Sequence, residues 1–319
     1  MVSYLITGGA GFIGSHLSET LVKQGHRVRV LDNLSTGKQE NLEPSSAGPG
    51  EFEFIKGDIC NLDTCQQALN GVDYVLHQAA RASVPRSIED PLATNAVNVN
   101  GSLNVLYAAK EARVRRVVLA SSSSVYGNVE PPDAPKVESL PPRPMSPYAA
   151  SKVSMEHYAS AFYQVYGLET VCLRYFNIFG PRQDPDSPYA AVIPKFLFCL
   201  LRGKRPLVFG DGRQSRDFTY IDNVVDANLK ACTATQASGQ SINVAAGVSH
   251  DLLELLDILG EITEERVVPE FHQARAGDVL YSLADLAKAR RVLSYEPKVD
   301  FTQGLERLVE LAQMGRYLA

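Results

Sequence analysis

Residues 7–14, TGGAGFIG, decide the fold of this chain. They hold a Gly-x-Gly-x-x-Gly pattern with one further glycine ahead of it. The apolar run before them, 3–7, is typical of a buried strand, and the amphipathic run after them, 12–24, is typical of a helix. Glycines between such a strand and helix permit a tight turn and let a pyrophosphate approach the positive end of the helix. The stretch therefore predicts a dinucleotide-binding site at this turn.

The ends of the next two strand candidates support this interpretation. RVRVLD (27–32) ends in Asp32, which can accept hydrogen bonds from the adenosine ribose and whose charge repels a 2′-phosphate. NAD is therefore favoured over NADP. The following run ends in Asp58 and Ile59, which we expect within reach of the adenine. A helix cap is the alternative role for Asp58.

Short β-branched runs alternate with longer amphipathic runs through the N-terminal half. The strand candidates are SYLITGG, RVRVLD, EFEFIKGD, VDYVLHQAA, RRVVLASS and ETVCLRYFN, and the helix candidates include 12–24, 91–112 and 146–166. This alternation predicts an α/β fold with a doubly wound parallel sheet of the Rossmann type. An eight-stranded barrel is the alternative, but the glycine cluster favours the open sheet.

From about residue 178 the pattern changes to Pro- and Gly-rich segments joined by short helices. We expect a smaller C-terminal substrate domain there, with a helix near 222–233 and the strand QSINVAA returning to the large sheet. The predicted boundaries are 1–178 and 221–247 for the NAD-binding domain, and 179–220 and 248–319 for the substrate domain.

Composition excludes several classes of function. The 319 residues are 45% apolar and 21% charged with a formal net charge of −5, which disfavours nucleic acid as a partner. Five scattered cysteines match neither a disulfide framework nor a metal site. No stretch approaches the roughly 20 apolar residues of a membrane span, and no basic and then apolar leader opens the chain. We therefore expect a cytoplasmic protein without a membrane partner.

SPYAASK places Tyr148 and Lys152 four residues apart on a predicted helix, so both side chains project from one face. A lysine cation beside a phenol favours the phenolate, which makes the tyrosine a usable general base. Ser122 lies in the serine run SSSSVYG, directly after the apolar run VVLA. The three residues form a candidate reaction centre.

These motifs, together with LRYFNIFGPRQ, SRDF and RAGD, resemble those of the extended short-chain dehydrogenase/reductase family, in particular its UDP-glucose and UDP-N-acetylglucosamine 4-epimerases. The resemblance implies that Tyr148 is the catalytic base, that Lys152 also binds the nicotinamide ribose, and that Ser122 hydrogen-bonds the reacting hydroxyl of the sugar. The full set expected around NAD is Gly8, Gly11, Phe12, Ile13, Gly14, Asp32, Asn33, Asp58, Ile59, Ala79, Ala80, Tyr148, Lys152 and Tyr175.

The serine run also distinguishes between reactions. Dehydratases and decarboxylases of this family carry an acidic residue just before the Val/Met-Tyr-Gly, where this chain has Ser123 and Ser124. A serine hydroxyl cannot act as an acid or base near neutral pH. The simplest chemistry left is epimerisation through transient oxidation at C4.

The resemblance also implies a substrate site. Arg216 and Arg275 would bind the diphosphate, which suits the planar fork of arginine, Asp278 would bind the nucleotide ribose, and Asn177 would contact the diphosphate. Val192, Leu207 and Phe209 are candidates for the uracil pocket, although core packing explains their apolarity equally well. Phe176 would lie with Tyr175 against the nicotinamide. Further substrate contacts are expected from Ser83, Ser122, Ser123 and Ser282.

By the same resemblance, Ser282 is expected at the gate beside the C2 substituent of the sugar, where a small residue leaves room for an acetamido group. Capping of the next helix is its alternative role. The leading hypothesis is a UDP-hexose 4-epimerase that acts on N-acetylated sugars and also on UDP-glucose. A UDP-glucuronate 4-epimerase, with Arg182 as the extra cation, is the nearest alternative, and a catalytically silent NAD-binding regulator is the alternative of another class. The resemblance implies a homodimer formed through helices 91–112 and 146–166.

Overall fold

The computed structural model describes residues 1–185, 191–273 and 280–317. Its centre is a seven-stranded parallel sheet, and short two-stranded ladders lie outside it. The strands are β1 (Ser3–Thr7), β2 (Arg27–Asp32), β3 (Glu51–Lys56), β4 (Tyr74–His77), β5 (Arg116–Ser122), β6 (Glu169–Tyr175), β7 (Ile178–Phe179), β8 (Leu207–Phe209), β9 (Ser215–Asp217), β10 (Thr219–Tyr220), β11 (Gln240–Val244), β12 (Ser249–Asp251) and β13 (Glu270–His272).

Helices connect these strands. The α-helices are α1 (Phe12–Lys23), α2 (Glu43–Ser46), α3 (Leu62–Leu69), α4 (Val84–Glu89), α5 (Pro91–Asn95), α6 (Ser102–Glu111), α7 (Pro147–Tyr166), α8 (Val192–Leu201), α9 (Ile221–Thr233), α10 (Leu252–Thr263), α11 (Ala287–Leu293) and α12 (Phe301–Gln313). Short 3₁₀ helices form at Gln39–Leu42 and Ser123–Tyr126, and a π-helix forms at Ala96–Gly101.

The large sheet has the order β11-β6-β5-β4-β1-β2-β3. Strand order therefore reverses at β1, as it does in a doubly wound sheet, and the predicted fold is confirmed. The strand QSINVAA does return to the large sheet, where β11 pairs with β6.

Side-chain alternation along the strands builds a core on each face of the sheet. In β1, Ile6 packs into the larger core while its neighbour Leu5 packs into the second one, and both are fully buried. Apolar residues at consecutive positions are required here because helices cover both faces of a parallel sheet. The near-continuous apolar runs in the sequence have this physical origin.

The predicted helix 91–112 is interrupted. It consists of α5, the π-helix and α6 in succession, and the wide turn contains the buried Asn98. The Asn98 side chain accepts a 2.8 Å hydrogen bond from the Arg81 backbone N–H and donates one of 3.0 Å to Ser151 Oγ. The π turn thus places a polar side chain between the loop after β4 and α7, which is a common use of such turns.

Three short ladders lie in the Pro- and Gly-rich part of the chain: β7 with β10, β8 with β13, and β9 with β12. Apart from Ile178, their residues belong to the segments assigned to the substrate domain. The domain boundaries themselves stay a prediction. Within the described ranges, no helix is both long and apolar enough to cross a membrane.

Candidate active site

The predicted site residues converge at the carboxyl edge of the large sheet. The glycine turn follows β1, Asp32 ends β2, Asp58 follows β3, and Ser122 ends β5. Ligands of doubly wound proteins bind at this edge, where the strand order reverses. The topology therefore places the candidate cofactor residues beside the candidate reaction centre.

The glycine turn has no room for side chains. Gly8 has φ +69°, and a Cβ there would lie 2.6 Å from the Ala79 backbone N. A Cβ on Gly14 would lie 2.7 Å from Gly9 Cα, where α1 crosses the turn. Only glycine allows strand, turn and helix to pack this closely with the N-terminus of α1 facing outward. The turn fits the pyrophosphate of NAD.

Two backbone hydrogen bonds fix the Asp32 carboxylate at the end of β2. Its carboxylate accepts backbone hydrogen bonds from Ala10 at 3.0 Å and Leu34 at 2.8 Å. Burial raises its pKa, an effect that these two hydrogen bonds oppose. Each carboxylate oxygen can accept more than one hydrogen bond, so Asp32 retains acceptor capacity for ribose hydroxyls.

Asp58 does not cap a helix. Asn61 caps α3 by accepting a hydrogen bond from the Thr64 N–H at 3.0 Å. Asp58 instead accepts hydrogen bonds from Asn33 Nδ2 and from the Cys60 backbone, each at 2.8 Å. These bonds outweigh partial burial and lower the pKa of Asp58. Asp58 and Asn33 thus form one polar group beside Asp32.

The remaining candidates for NAD contact are arranged around the same edge. Phe12 and Ile13 begin α1, and Ala79 and Ala80 follow β4. The Ile59 side chain is buried in the second core, where it packs against Gly101.

Tyr175 and Phe176 differ in the environments of their side chains. Tyr175 ends β6 with its hydroxyl bonded to Asn228 at 3.0 Å and Gln78 at 3.3 Å. Phe176 is fully buried in the larger core and packs against Tyr126. The expectation that Phe176 lies against the nicotinamide is therefore wrong: it exposes no surface to a ligand.

The structure brings Ser122, Tyr148 and Lys152 together. Tyr148 and Lys152 lie one turn apart in α7, and the Lys152 Nζ lies 5.9 Å from the centroid of the Tyr148 ring. The Nζ donates a 2.7 Å hydrogen bond to the Ala120 carbonyl, two residues before Ser122. Lys152 is thus anchored to β5 and is not bonded to the phenol.

Burial affects the pKa of both groups. It raises the pKa of Tyr148, and the neighbouring Ser122 hydroxyl lowers it in part. Burial also lowers the pKa of Lys152 to about 8. Nearby negative charges, Glu156 among them, partly offset this shift. We expected the lysine to lower the pKa of the phenol, but desolvation of the phenol has the larger effect on its pKa.

The serine run forms the strand end and the following 3₁₀ turn. Ser122 Oγ accepts hydrogen bonds from the Ser124 backbone at 3.2 Å and from the Ser124 hydroxyl at 2.9 Å. Ser123 is the first residue of the 3₁₀ helix. Ser123 and Ser124 therefore place hydroxyls directly after the end of β5.

A cavity of about 570 Å³ is lined by residues that follow β6 in the chain. Five of the predicted substrate residues line it: Asn177, Val192, Leu207, Phe209 and Arg216. The uracil-pocket candidates therefore line a cavity, and Val192 also packs against the larger core. Arg275 and Asp278 lie outside the described residues.

Three further candidates have clear local environments. Ser83 accepts a hydrogen bond from the Arg86 N–H and caps α4. Ser282 is buried and is not a helix cap, because α11 begins only at Ala287, whose N–H bonds to Asp285. Arg182 pairs with Glu19 at 2.6 Å and bonds to Ser15.

Sequence reasoning missed a buried ion pair behind the reaction centre. Glu156 of α7 accepts hydrogen bonds from Arg174 Nε at 2.9 Å and Nη2 at 2.7 Å, and also from Ser121. The spacing of Tyr148, Lys152 and Glu156, four residues each, was the available signal. Among the described residues, no cluster of three His, Cys, Asp or Glu side chains could hold a metal ion.

The chain was compared with known proteins. Residues 4–245 match the model of the NAD dependent epimerase/dehydratase family. A UDP-glucose 4-epimerase of Mycolicibacterium smegmatis is 41% identical over 308 residues, which cover 96% of this chain and 97% of that protein.

Solved structures of UDP-sugar 4-epimerases are also similar to this chain. A UDP-N-acetylglucosamine 4-epimerase from Methanobrevibacter ruminantium, in complex with UDP-N-acetylmuramic acid, superposes with a TM-score of 0.93 at 40% identity, covering 98% of this chain and 99% of that one. A UDP-glucuronic acid 4-epimerase from Bacillus cereus, in complex with UDP-glucuronic acid and NAD, gives 0.89 at 32% identity, with 98% and 99% covered.

Proposed function

Because the chain belongs to the NAD-dependent epimerase/dehydratase family, we propose that this NAD-dependent enzyme is a UDP-sugar 4-epimerase that interconverts UDP-N-acetylglucosamine and UDP-N-acetylgalactosamine, and also UDP-glucose and UDP-galactose. The observation that carries the proposal is the cluster of Ser122, Tyr148 and Lys152 beside the glycine turn, with serines where relatives that eliminate water carry acids.

Each residue of the cluster has a separate task. Ser122 orients the 4-hydroxyl of the sugar, and Tyr148 removes its proton and later returns it. Lys152, anchored through Ala120, supplies positive charge near the phenol and donors for the nicotinamide ribose. When bound at the glycine turn, NAD would supply hydride transfer from and back to C4, so the reaction would need no external oxidant.

The residues that line the cavity suit a nucleotide sugar as the ligand. Its apolar side, with Val192, Leu207 and Phe209, suits the uracil ring, and Arg216 and Asn177 offer donors to the diphosphate. The small Ser282, which pairs with the strand segment that carries Arg216, leaves room for a 2-acetamido group. N-acetylated sugars are therefore the proposed main substrates.

UDP-glucuronate is the alternative substrate. It requires a cation for its carboxylate, and Arg182 is not available for this role because its guanidinium is bound to Glu19 and Ser15 on α1.

Proton NMR of the purified protein with each nucleotide sugar tests the proposal. UDP-N-acetylglucosamine, UDP-glucose and UDP-glucuronate are incubated separately, and the anomeric signals of the 4-epimers are followed. We expect new signals from the N-acetylated sugar and from UDP-glucose. Turnover of UDP-glucuronate alone would contradict the proposed substrates, and no turnover of any of the three would contradict the proposed reaction.

A further inference from the structure

His77 is a buried histidine that the proposed reaction does not use. It ends β4, is 1% exposed, and pairs with Thr7 at the end of β1. Its ring lies between two buried hydroxyls: Nδ1 is 2.7 Å from Thr7 Oγ1, and Nε2 is 2.8 Å from Ser102 Oγ. Both ring nitrogens therefore have a hydrogen-bond partner within the protein.

The hydrogen bonds of the two hydroxyls determine which ring nitrogen carries the proton. Ser102 Oγ lies 2.6 Å from the Asn98 carbonyl, which can only accept, so the Ser102 hydroxyl donates there. Its oxygen must then accept from the Nε2–H of His77. Burial, with a contribution from the Lys152 charge, lowers the pKa of His77 to about 3, so the ring is neutral at neutral pH. Nδ1 therefore carries no proton and accepts from the Thr7 hydroxyl.

The Thr7 end of this line of hydrogen bonds lies at the candidate cofactor site. Gly8 follows Thr7 directly, and the Thr7 hydroxyl oxygen accepts from the Ala79 N–H at 3.3 Å. The backbone of Ala79 is also what leaves no room for a Cβ on Gly8. The bond between Thr7 and His77 thus helps to fix the distance between the glycine turn and the end of β4.

The Ser102 end continues to the helix that carries the candidate base. The Ser102 hydroxyl holds the carbonyl of Asn98 in the π-helix, and the Asn98 side chain donates to Ser151 Oγ at 3.0 Å. The Ser151 hydroxyl donates in turn to the Tyr148 carbonyl at 2.7 Å. Lys152 follows Ser151 and anchors the same turn of α7 to β5. The line therefore runs from the glycine turn to the turn of α7 that carries Tyr148 and Lys152.

A neutral imidazole suits this position. It donates at one nitrogen and accepts at the other, so it can join a hydroxyl that donates to a hydroxyl that accepts. An imidazolium would lose the bond donated by Thr7 and would repel the Lys152 ammonium, whose charge already lowers the pKa of His77. Fixed geometry matters for the proposed reaction, because a displacement of about 1 Å at the reacting groups can cost about 100-fold in rate.

We propose that His77 is a positioning residue for the reaction centre: as the Nε2–H tautomer, it holds the glycine turn and the Tyr148–Lys152 turn of α7 at a fixed separation. The proposal rests on the proposed function and adds to it a residue that acts only through other residues. The effect of His77 falls on the rate of the chemical step rather than on substrate binding, because the ring sets the distance between the cofactor turn and the base.

¹⁵N NMR of the holoenzyme with labelled histidine tests the tautomer and needs no turnover. We expect His77 to show a proton on Nε2 and none on Nδ1 from about pH 5 to about pH 8, the range in which an unperturbed histidine changes its charge. The His77 signals are assigned by their absence from His77→Phe. A proton on Nδ1, or an imidazolium at neutral pH, would overturn the proposal.

Kinetics of His77→Phe and Ser102→Ala test the positioning. Phenylalanine keeps a ring and removes both hydrogen bonds, whereas Ser102→Ala leaves the Nε2–H of His77 without its acceptor. We expect kcat for the accepted UDP-sugar to fall about 10- to 100-fold and NAD to stay bound. KM should change less than about threefold, since the effect is on the chemical step. His77→Gln, with one acceptor and one donor group, should recover part of kcat.

Thr7→Val and Thr170→Val form a matched pair of variants. Both threonines are buried; the Thr7 hydroxyl bonds to His77, and the Thr170 hydroxyl donates to the Ala159 carbonyl of α7 at 2.8 Å. Both changes should lower the free energy of unfolding in urea, because each removes a buried hydrogen bond. Only Thr7→Val should lower kcat.

Three kinetic results would also overturn the proposal. They are a kcat within about threefold of wild type in both His77→Phe and Ser102→Ala, a loss that appears in KM alone, or an equal loss of kcat in Thr170→Val. If His77→Phe does not fold, Ser102→Ala carries the kinetic test. A wild type without turnover would instead contradict the proposed epimerisation, whereas a variant as fast as the wild type would contradict only the role of His77.

Discussion

Tyr148 and Lys152 show how much the chemistry of a residue depends on its surroundings. Their spacing in the chain indicates a base and a cation on one helix face. Burial then raises the pKa of the tyrosine and lowers that of the lysine to about 8. Both shifts disfavour the charged forms of the two groups that the proposed reaction uses.

Tyr148→Phe should abolish turnover and leave NAD bound, because the change deletes the proton acceptor and little of the cofactor contact. The expected loss is at least about 10²–10⁴-fold, the usual contribution of general acid–base catalysis. Turnover is followed by NMR, and NAD is quantified by absorbance after denaturing the protein. A rate above about a tenth of the wild-type value would remove Tyr148 from the role of base.

Ser282→Tyr should suppress epimerisation of UDP-N-acetylglucosamine and spare UDP-glucose. The buried serine lies beside Arg216 in the ladder, and a tyrosine there would occupy the space of the acetamido group. The measurement is kcat/KM for both substrates.

Ser282→Ala is the control for this experiment, because it keeps the space and should keep both activities. Since α11 begins five residues later, at Ala287, loss of a helix cap cannot account for a defect at Ser282. Equal losses on both substrates would indicate a folding defect, and unchanged activity on the N-acetylated sugar would show that Ser282 is not the gate.

Among the elements, α7 has the largest share of the candidate reaction centre, with Tyr148 and Lys152. Ser146 caps its first turn by accepting from the Ala149 N–H at 3.1 Å, and Gly167, at φ +70°, ends it. Between these ends, Tyr148, Lys152 and Glu156 lie on one face, and the Glu156–Arg174 pair connects this face to β6. The orientation of the helix relative to the sheet therefore depends on a buried charge pair.

Glu156→Gln should destabilise the protein by about 3–5 kcal/mol, because it leaves the buried Arg174 cation uncompensated. Replacing both residues with methionine should recover much of this loss. The free energy of unfolding is measured in urea at pH 7.

The exposed pair Arg290–Glu296 provides the comparison. Glu296→Gln there should cost less than about 1 kcal/mol, since water already solvates both charges. If Glu156→Gln were as mild as Glu296→Gln, the buried pair would not hold α7 in place.

At the scale of the whole molecule, apolar side chains are exposed on the helices that flank one face of the sheet. Leu92 of α5 is 82% exposed. Others on α6 and α7 are Tyr107, Tyr158, Val165 and Tyr166. Exposed apolar groups concentrated on neighbouring helices are typical of an interface.

We expect a homodimer through α5, α6 and α7. Light scattering at micromolar concentration should give twice the mass of the monomer, and Leu92→Glu should lower it by placing a charge in the interface. Met314→Glu, at an exposed apolar residue near the C-terminus, is the control and should leave the mass unchanged. A monomeric mass for the wild type would rule out the dimer.

The sequence by itself determined the features that depend on neighbouring positions. The glycine turn, Asp32 at a strand end, the serine run and the Tyr148–Lys152 spacing each occupy a few consecutive residues, and local geometry dictates what they can do. The alternation of strands and helices also depends on neighbouring positions, and for this reason the sheet was predicted correctly.

Only the tertiary structure decided which distant segments meet. Arg216 and Ser282 are paired because the segment around Ser282 lies beside β9, and no pattern within either segment indicates the other. The burial of Phe176 and the pairing of Arg182 with Glu19 have the same origin. Desolvation and charge pairing depend on everything that packs around a group, and packing brings together residues that lie far apart in the chain.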